Sequence, residues 1–269
     1  MRTPFPTARP PKNLRRRARL PLEAAGPGQV YMPPTASTAA VSPMAQTPKA
    51  FLRTVDRKIA ARHLLKHEFY TMWNAGKLTL DHLRGYAGEY YHHEAAYPQY
   101  LSAVHSSTPD LGARQLLLEN LIDEERGEDN HAELWLRFCD ALAMDRAEVT
   151  GMKPLSSTCR LVTTFREIAQ ERPYYEGLAS LYTFESQIPE VARTKAAGLR
   201  KWYGVEGKRG LEFFTVHEQA DVWHSEAERK LLEEAAITTR AQQGISLAVD
   251  RSLGALDGFL DGVMDAYVR

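Results

Sequence analysis

The sequence has few of the features that mark secreted, membrane-spanning or nucleic-acid-binding proteins. It contains only two cysteines, Cys139 and Cys159, which argues against a disulfide framework and fits a reducing cytoplasm. It has no run of about 18 or more apolar residues, so we expect no transmembrane helix. Its 34 basic and 34 acidic residues give zero net charge, so bulk electrostatics favour neither nucleic acid nor a membrane as a partner.

Acidic residues are nearly absent from residues 1–47, where Glu23 is the only one. This segment is rich in proline and carries the basic cluster 15–19, and it cannot bury enough apolar surface to offset the entropy of ordering. We predict a disordered extension over 1–47 and a folded domain over 48–269. An organellar transit peptide and an over-extended gene start, with Met44 as the true first residue, are the alternatives.

Strand hairpins and 20–50-residue repeats are also missing, whereas apolar residues recur at helical spacing from Phe51 to the end of the chain. The pattern predicts an all-α bundle of about seven helices around one core. We expect the helices over 51–75, 81–106, 110–144, 156–171, 174–203 with a bend at Pro189, 209–236 and 238–267.

The segment that organises the rest is His217-Glu218-Gln219-Ala220-Asp221-Val222-Trp223-His224. Residues i, i+4 and i+7 of a helix share one face, so His217, Asp221 and His224 would form a narrow stripe. Two imidazoles and a carboxylate suit iron, manganese or zinc, while the plainer interpretation is a solvated face with two chance histidines.

Further ligands should come from facing helices. Glu124 and His131 are seven residues apart, two turns along one predicted helix, and Glu128 shares their face with the Glu-x-x-His spacing of ferritin-like proteins. Glu185 ends a largely apolar run and needs a partner or a metal if it points inward, although it could instead lie on the surface near Pro189. With one glutamate from the Glu124 cluster, three carboxylates and three imidazoles are enough for two metal ions.

The order Glu124, His131, Glu185, His217-x3-Asp221-x2-His224 resembles the ligand pattern of haem-oxygenase-like dimetal oxidases. The resemblance covers about residues 48–235 and is greatest to the branch named for the Chlamydia protein associating with death domains, which are 4-aminobenzoate synthases related to PqqC and to thiaminase-like TenA proteins. It implies a haem-oxygenase-like helical fold, a homodimer and an oxidoreductase, and it selects Glu124 over Glu125 and Glu128 as the ligand.

The resemblance also implies that the protein is its own substrate. A tyrosine side chain would become the ring of 4-aminobenzoate, a folate precursor, and a lysine would supply the amino group; Tyr70 and Lys195 match these positions. Two metal ions (Fe/Fe or Fe/Mn), O2 and an external reductant would be required, with no external organic substrate. Tyr86 and Tyr182 are expected near the site as radical relays. By pattern alone, Tyr70 is a packed aromatic and Lys195 a solvated cation.

The sequence pattern assigns no catalytic or metal-binding role to three other residues. His92 and His93 have no ligand partner at helical spacing and are expected to make polar contacts or lie on the surface, and Cys139 is expected to be a packed thiol. Two other functions stay open beside the self-sacrificing synthase. One is a dimetal oxidase of the same fold acting on an external fatty or amino acid; the other is a metal-free PqqC-like oxidase or a binding protein with a degenerate site.

Overall fold

A computed structural model describes residues 46–269 and contains helices but no strand over that range. The all-α prediction is confirmed, but about seven helices is too few, because ten helices have eleven or more residues and two are shorter. They are α1 Pro48–Ala61, α2 Glu68–Asn74, α3 Leu80–Glu94, α4 Tyr97–Ser107, α5 Leu111–Glu125, α6 His131–Ala141, α7 Arg146–Gly151, α8 Ser156–Glu171, α9 Tyr174–Glu185, α10 Ile188–Trp202, α11 Lys208–Ala235 and α12 Thr239–Val263. A 3-10 turn, Leu64–Lys66, precedes α2, and a π-helical turn, Met264–Val268, follows α12.

Each of the first three predicted helices is in fact two helices, because local signals end one and begin the next. The His67 ring accepts a hydrogen bond in the first turn of α2, Pro98 occupies the first turn of α4, and Gly127 adopts a φ of +86° between α5 and α6. Asn130 then accepts a hydrogen bond from the backbone N–H of Glu133 and starts α6. The sequence analysis did not use these four signals, so it predicted continuous helices across them.

The helix predicted over 174–203 is also divided, close to the expected bend. It breaks at Ser186 and Gln187, and Pro189 lies in the first turn of α10. The cap of α3 is Thr79, whose hydroxyl accepts from the backbone N–H of His82, and Asp81 lies in the first turn. Apart from the divisions, the observed helix ends lie within four residues of the predicted ones.

Helix α9 lies at the centre of the bundle and packs against α8, α11 and α12. Every residue in Glu176–Glu185 is buried, as expected for a helix that is apolar on all sides. Helices α6 and α10 pack along α11, and α4 packs against α5, α8 and α9. The buried polar residues His217, Asp221 and His224 lie in the middle of α11.

The N-terminal extension predicted over 1–47 lies almost wholly outside the described residues. The described chain begins at Gln46, whose backbone exchanges hydrogen bonds of 3.1 and 2.7 Å with the side chain of Gln242 on α12. Among residues 46–269, none of the helices combines the length and apolar character needed to cross a membrane.

Candidate metal centre and tyrosine–lysine cluster

The stripe of His217, Asp221 and His224 forms one buried face of α11, as its spacing predicts. The Nδ1–H of His217 donates to the backbone carbonyl of Phe213 at 2.7 Å. This hydrogen bond fixes the ring orientation and leaves Nε2 free to act as a ligand. The Nε2 of His224 lies 3.2 Å from Oδ2 of Asp123, a half-exposed carboxylate at the edge of the site.

The other three predicted ligands come from helix ends. Glu124 lies in the last turn of α5, His131 is the first residue of α6 and Glu185 is the last residue of α9. Glu124 and His131 therefore do not share one continuous helix face, contrary to the sequence-based expectation, because the 126–130 turn separates them. Glu125 and Glu128 are exposed, whereas Glu124 is buried.

Two groups of potential ligand atoms meet in the interior, each with its atoms within 4.8 Å of one another. The first group is Glu94, His131 and His217; the second is Glu185, Asp221 and His224. Glu124 interacts with both groups. Its Oε1 is 2.9 Å from Nδ1 of His131, and its negative charge helps to raise the pKa of Asp221. We call these seven residues the metal-ligand cluster. It contains all six predicted ligands and one residue, Glu94, that was not predicted.

Several buried atoms of the metal-ligand cluster have no hydrogen-bond partner among the described residues. They are Oε2 of Glu124, Nδ1 of His131 and Nδ1 of His224, although the last two lie near carboxylate oxygens. Such atoms are costly to bury unless a cation or a proton satisfies them. Imidazole nitrogens and carboxylate oxygens in this arrangement fit two ions of iron or manganese.

The carboxyl groups of the metal-ligand cluster have pKa values above their ordinary range. Burial raises the pKa values of Glu94, Glu124 and Glu185 to about 8, and neighbouring carboxylates contribute in each case. Burial and the charge of Glu124 raise the pKa of Asp221 well above its usual range. Several buried carboxyl groups with raised pKa values lie close together, as is typical of a site that binds cations.

Two neutral side chains orient Glu185. The Tyr97 hydroxyl donates to its Oε1 at 2.6 Å, and the amide nitrogen of Asn120 lies 2.9 and 3.1 Å from its two oxygens. Both partners are buried, and they come from α4 and α5. These bonds hold the carboxylate in one orientation, as outer partners of metal ligands commonly do.

Tyr70, Tyr86 and Lys195 form a second buried group, which we call the tyrosine–lysine cluster. The hydroxyl oxygens of Tyr70 and Tyr86 are 3.0 Å apart, and the Nζ of Lys195 donates to the Tyr86 hydroxyl at 2.8 Å. All three side chains are almost fully buried. The fold thus brings together three of the four residues that the sequence analysis named as candidates for the reaction.

Aromatic rings enclose the amine of Lys195. Its Nζ lies 4.9 to 5.1 Å from the ring centroids of Tyr86, Tyr90, Trp135 and Phe214. Burial lowers the pKa of Lys195 to about 7, while the carboxylate of Glu94 raises it in part. A substantial fraction of this lysine is therefore the neutral amine at neutral pH, and it is not the solvated cation that its basic neighbours suggest.

The backbone of α10 at Lys195 is fixed by Trp73. The indole N–H donates to the carbonyl of Lys195 at 3.2 Å, and the ring lies across Gly198. A Cβ at position 198 would come within 2.7 Å of the indole, so only glycine permits this approach. Trp73, whose pattern in the sequence is that of a core residue, thus also fixes the position of the Lys195 side chain.

The tyrosine–lysine cluster borders the metal-ligand cluster. The rings of Trp135 and Phe213 are 4.7 Å apart, and Phe213 stacks on His217 at 4.0 Å. The charge of Glu94 acts on Lys195, and that of Lys195 acts on His217. One continuous interior therefore holds both groups.

Tyr182, the fourth predicted chemical residue, lies apart from the tyrosine–lysine cluster. Its hydroxyl donates to Oδ1 of Asp56 at 2.8 Å, and Asp56 also pairs with Arg229.

Cys139 is buried and forms no disulfide, as expected for a packed thiol.

His93 is neither on the surface nor in polar contact, so that expectation is wrong. Its ring is fully buried, and both nitrogens lack a hydrogen-bond partner among the described residues. Phe165 and Phe184 face it at 5.0 Å, and Tyr97 at 5.9 Å. Burial lowers the pKa of His93 to about 3, so the ring is neutral.

Sequence reasoning missed Glu94, Tyr97, Asn120 and Glu228. Glu228 continues the 217, 221, 224 stripe by one turn and is buried with both oxygens unpartnered among residues 46–269, so a signal for it was present. The other three have no ligand-like spacing. Their positions depend on which faces of α3, α4 and α5 turn inward, and helices buried on several sides do not reveal that.

Comparisons with known proteins find relatives that cover most of the chain. A family model described as an iron-containing redox enzyme matches residues 84–256. The chain is 46% identical to the 4-aminobenzoate synthase of Nitrosomonas europaea, over 81% of this chain and 92% of that protein. It is 40% identical to the 4-aminobenzoate synthase of Chlamydia trachomatis, over 78% and 92%. A solved TenA homologue from Pseudomonas syringae has a TM-score of 0.70 at 17% identity, over 86% of this chain and 98% of that chain, which confirms the predicted fold.

Proposed function

The chain belongs to the family of iron-containing redox enzymes with a haem-oxygenase-like fold, in the branch of the 4-aminobenzoate synthases, and from this premise we propose that it makes 4-aminobenzoate from its own Tyr70 with Lys195 as the amino donor. The observation that carries the proposal is the buried chain of contacts from Lys195 through Tyr86 to Tyr70, next to the metal-ligand cluster. The two reactants of the proposed reaction lie together before any external molecule binds.

The predicted ligands Glu124, His131, Glu185, His217, Asp221 and His224 would hold two metal ions, Fe/Fe or Fe/Mn. When bound, these ions would supply the activation of O2, with electrons from an external reductant.

Lys195 must present a neutral amine to form a bond to carbon. Its pKa of about 7 supplies that form at neutral pH, and the enclosing rings exclude water that would compete for the ring carbon. Tyr86 bridges the two reactants, so a proton released from Nζ as it bonds to the ring carbon can pass through Tyr86 to the departing Tyr70 oxygen. Burial raises the pKa values of both tyrosines, so their phenols stay protonated until they are oxidised.

The proposed conversion breaks three bonds. The Cα–Cβ bond of Tyr70 breaks; Cα takes a hydrogen, and Cβ is oxidised by O2 from a methylene to the carboxylate of the product. The phenolic oxygen leaves the ring as water while Nζ of Lys195 bonds to the ring carbon, and hydrolysis then breaks the Nζ–Cε bond and leaves a hydroxyl on Cε. O2 is the oxidant, and the electrons that reduce it come from the cleaved side chain and from the reductant.

Cavity size favours an internal substrate over an external fatty acid. The cavity beside Tyr70, Tyr90 and Lys195 has a volume of about 20 Å³, which is room for a molecule the size of water. A site for a fatty acid requires at least about 300 Å³. An external-substrate oxidase would have to open this interior, whereas Tyr70 already occupies it.

Isotope labelling tests the proposal directly. Protein containing ring-labelled tyrosine, given Fe or Mn, O2 and reductant without any organic substrate, should release labelled 4-aminobenzoate, and its intact mass should fall through loss at position 70. Tyr70→Phe should bind metal normally and make no product. Entry of labelled free tyrosine into the product, or product from Tyr70→Phe, would falsify the self-sacrifice mechanism.

Lys195→Arg separates nitrogen transfer from metal chemistry. The substitution keeps a cation but removes the transferable amine, so we expect product to fall sharply while two metal ions still bind. An unchanged yield would remove Lys195 from the mechanism. Product formed by metal-free protein would instead favour a PqqC-like oxidase.

A further inference from the structure

We propose that Glu94 is a seventh protein ligand and binds the metal ion held by His131 and His217, on the side of the centre that faces Lys195. The inference rests on the dimetal centre of the proposed function, but not on Tyr70 as the substrate. Glu94 was not among the ligands expected from the sequence pattern.

Geometry places Glu94 with the two histidines. One of its carboxylate oxygens lies within 4.8 Å of a ring nitrogen of His131 and of His217, and the three residues come from α3, α6 and α11. Atoms that close to one another can all contact a single cation at bond lengths of about 2.0–2.3 Å. Two further atoms next to this group, Nδ1 of His131 and Oε2 of Glu124, have no hydrogen-bond partner among the described residues.

A fourth carboxylate would balance the charge of two divalent cations. The six predicted ligands contain three carboxylates, so two divalent cations would leave one positive charge uncompensated in a fully buried site. Glu94 is the fourth carboxylate in the metal-ligand cluster and brings the sum to zero. Burying net charge is far costlier than burying a neutral set of ions and ligands.

No other contact accounts for the burial of Glu94. Glu94 is 3% exposed, and the groups that it meets within 4.8 Å are ring nitrogens of His131 and His217. The contrast with Glu89, five residues earlier on α3, is informative. Glu89 is equally buried but is satisfied by the Leu155 backbone, Thr158 and the Tyr267 hydroxyl. Glu94, buried next to two imidazoles, is therefore positioned to bind a cation together with them.

The assignment makes the two metal positions unlike each other. The Glu94 side borders Lys195, since each residue feels the charge of the other. The Glu185 side is fixed by Tyr97 and Asn120. A ligand at position 94 therefore holds one metal ion beside the nitrogen donor.

Metal counting tests the proposal without any turnover. Full-length metal-free protein is titrated under argon with Mn(II), whose free ion is counted by electron paramagnetic resonance, and separately with Fe(II). We expect two bound equivalents for the natural protein and for the control Glu89→Gln. Glu94→Gln should hold one equivalent and bind the second at least about tenfold more weakly, the smallest loss expected even for an outer partner of a ligand.

Two unchanged equivalents in Glu94→Gln with natural affinity would overturn the assignment. If that variant fails to fold by circular dichroism, Glu94→Asp, which withdraws the carboxylate by one methylene, should show the same selective weakening, and natural affinity in it would also overturn the assignment. The two proposals fail separately. Selective loss of one metal ion with no label from Tyr70 in the product leaves the ligand in place and rejects the self-sacrifice mechanism. Labelled product with unaltered metal binding in Glu94→Gln does the reverse.

Discussion

The metal-ligand cluster and the tyrosine–lysine cluster are neighbours of similar size and burial, yet they differ in how their polar atoms are satisfied. In the tyrosine–lysine cluster, each of the three polar groups has a hydrogen-bond partner inside the cluster, and aromatic rings form the walls. In the metal-ligand cluster, carboxylates face one another and imidazole nitrogens lack partners among the described residues.

This difference shows which part of the interior is complete and which requires additional ions. A satisfied polar network is rigid and stable by itself, while a partly satisfied one is strained until a partner arrives. On the proposed function, the interior holds a preorganised pair of reactants beside a binding site for cations. Five predictions break or sharpen that comparison, beginning with the largest effect.

Metal loading should stabilise the protein strongly. Cations relieve the repulsion among Glu124, Asp221 and Glu185, and ligands that bind only the folded state stabilise it by about 4 kcal/mol at a thousandfold excess over Kd. For a chain of this size, that is a rise in Tm of about 10 °C, measured by calorimetry under argon with and without Mn(II). Asp221→Asn should lose most of the rise and Glu89→Gln should keep it. An unchanged Tm in the natural protein would contradict the cation-receptor interpretation.

Removing the amine from the tyrosine–lysine cluster should stabilise the metal-free protein. The folded-state pKa of Lys195, about 7, lies below its ordinary value of 10.5, so burial disfavours the charged form. The destabilisation is fully present below pH 7 and fades as pH rises from 7 to 10.5. Lys195→Met should raise Tm by about 6 °C at pH 6, on the order of 2 kcal/mol, and by less at pH 9. A gain that grows with pH would contradict the lowered pKa.

Removing a carboxylate from the metal-ligand cluster should have the opposite pH dependence. The folded-state pKa of Glu124, about 8, lies above its ordinary value of 4.5, so the fold favours the neutral acid. The associated stability is present below pH 4.5 and is lost as pH rises from 4.5 to 8. Metal-free Glu124→Gln should therefore gain more over the natural protein at pH 8.5 than at pH 6, by on the order of 1 kcal/mol, or about 3 °C. Chemical denaturation at the two pH values measures the difference, and Glu125→Gln, at an exposed position, is the control.

Much of the fold and of the site could be predicted because the signals are local. The stripe of His217, Asp221 and His224 depends only on helical geometry, and α11 preserves it. The helix over 156–171 was predicted with its observed bounds because no internal signal interrupts it. The long predicted helices are divided at caps, prolines and a glycine with positive φ, such as Gly127, which the periodicity of apolar residues does not register.

What could not be predicted depends on tertiary position. Glu94 and Glu89 occur on the same helix in the same aromatic stretch, and only the fold shows that one meets imidazoles and the other meets hydroxyl and backbone donors. The burial of His93 could not be predicted because Phe165 and Phe184, which close the space around its ring, come from α8 and α9, far along the chain. The side of a helix that turns inward is ambiguous when most sides are buried.

The smallest expected effect concerns Tyr97, the neutral residue that supports the metal-ligand cluster. Tyr97→Phe keeps the ring among His93 and Phe184 but removes the hydroxyl that donates to Oε1 of Glu185. Asn120 still holds that carboxylate, so we expect metal affinity to fall by about tenfold and no further.

Tyr86→Phe is the matched variant in the other cluster, since it also removes one buried hydroxyl and keeps its ring. It breaks the contacts to both Tyr70 and Lys195 and should reduce product while metal affinity stays natural. Affinity is read from Mn(II) titration and product from single-turnover yield. If Tyr86→Phe weakened metal binding as much as Tyr97→Phe, the two clusters would be one cooperative network, because a hydroxyl with no contact to a ligand would then be supporting the metal ions.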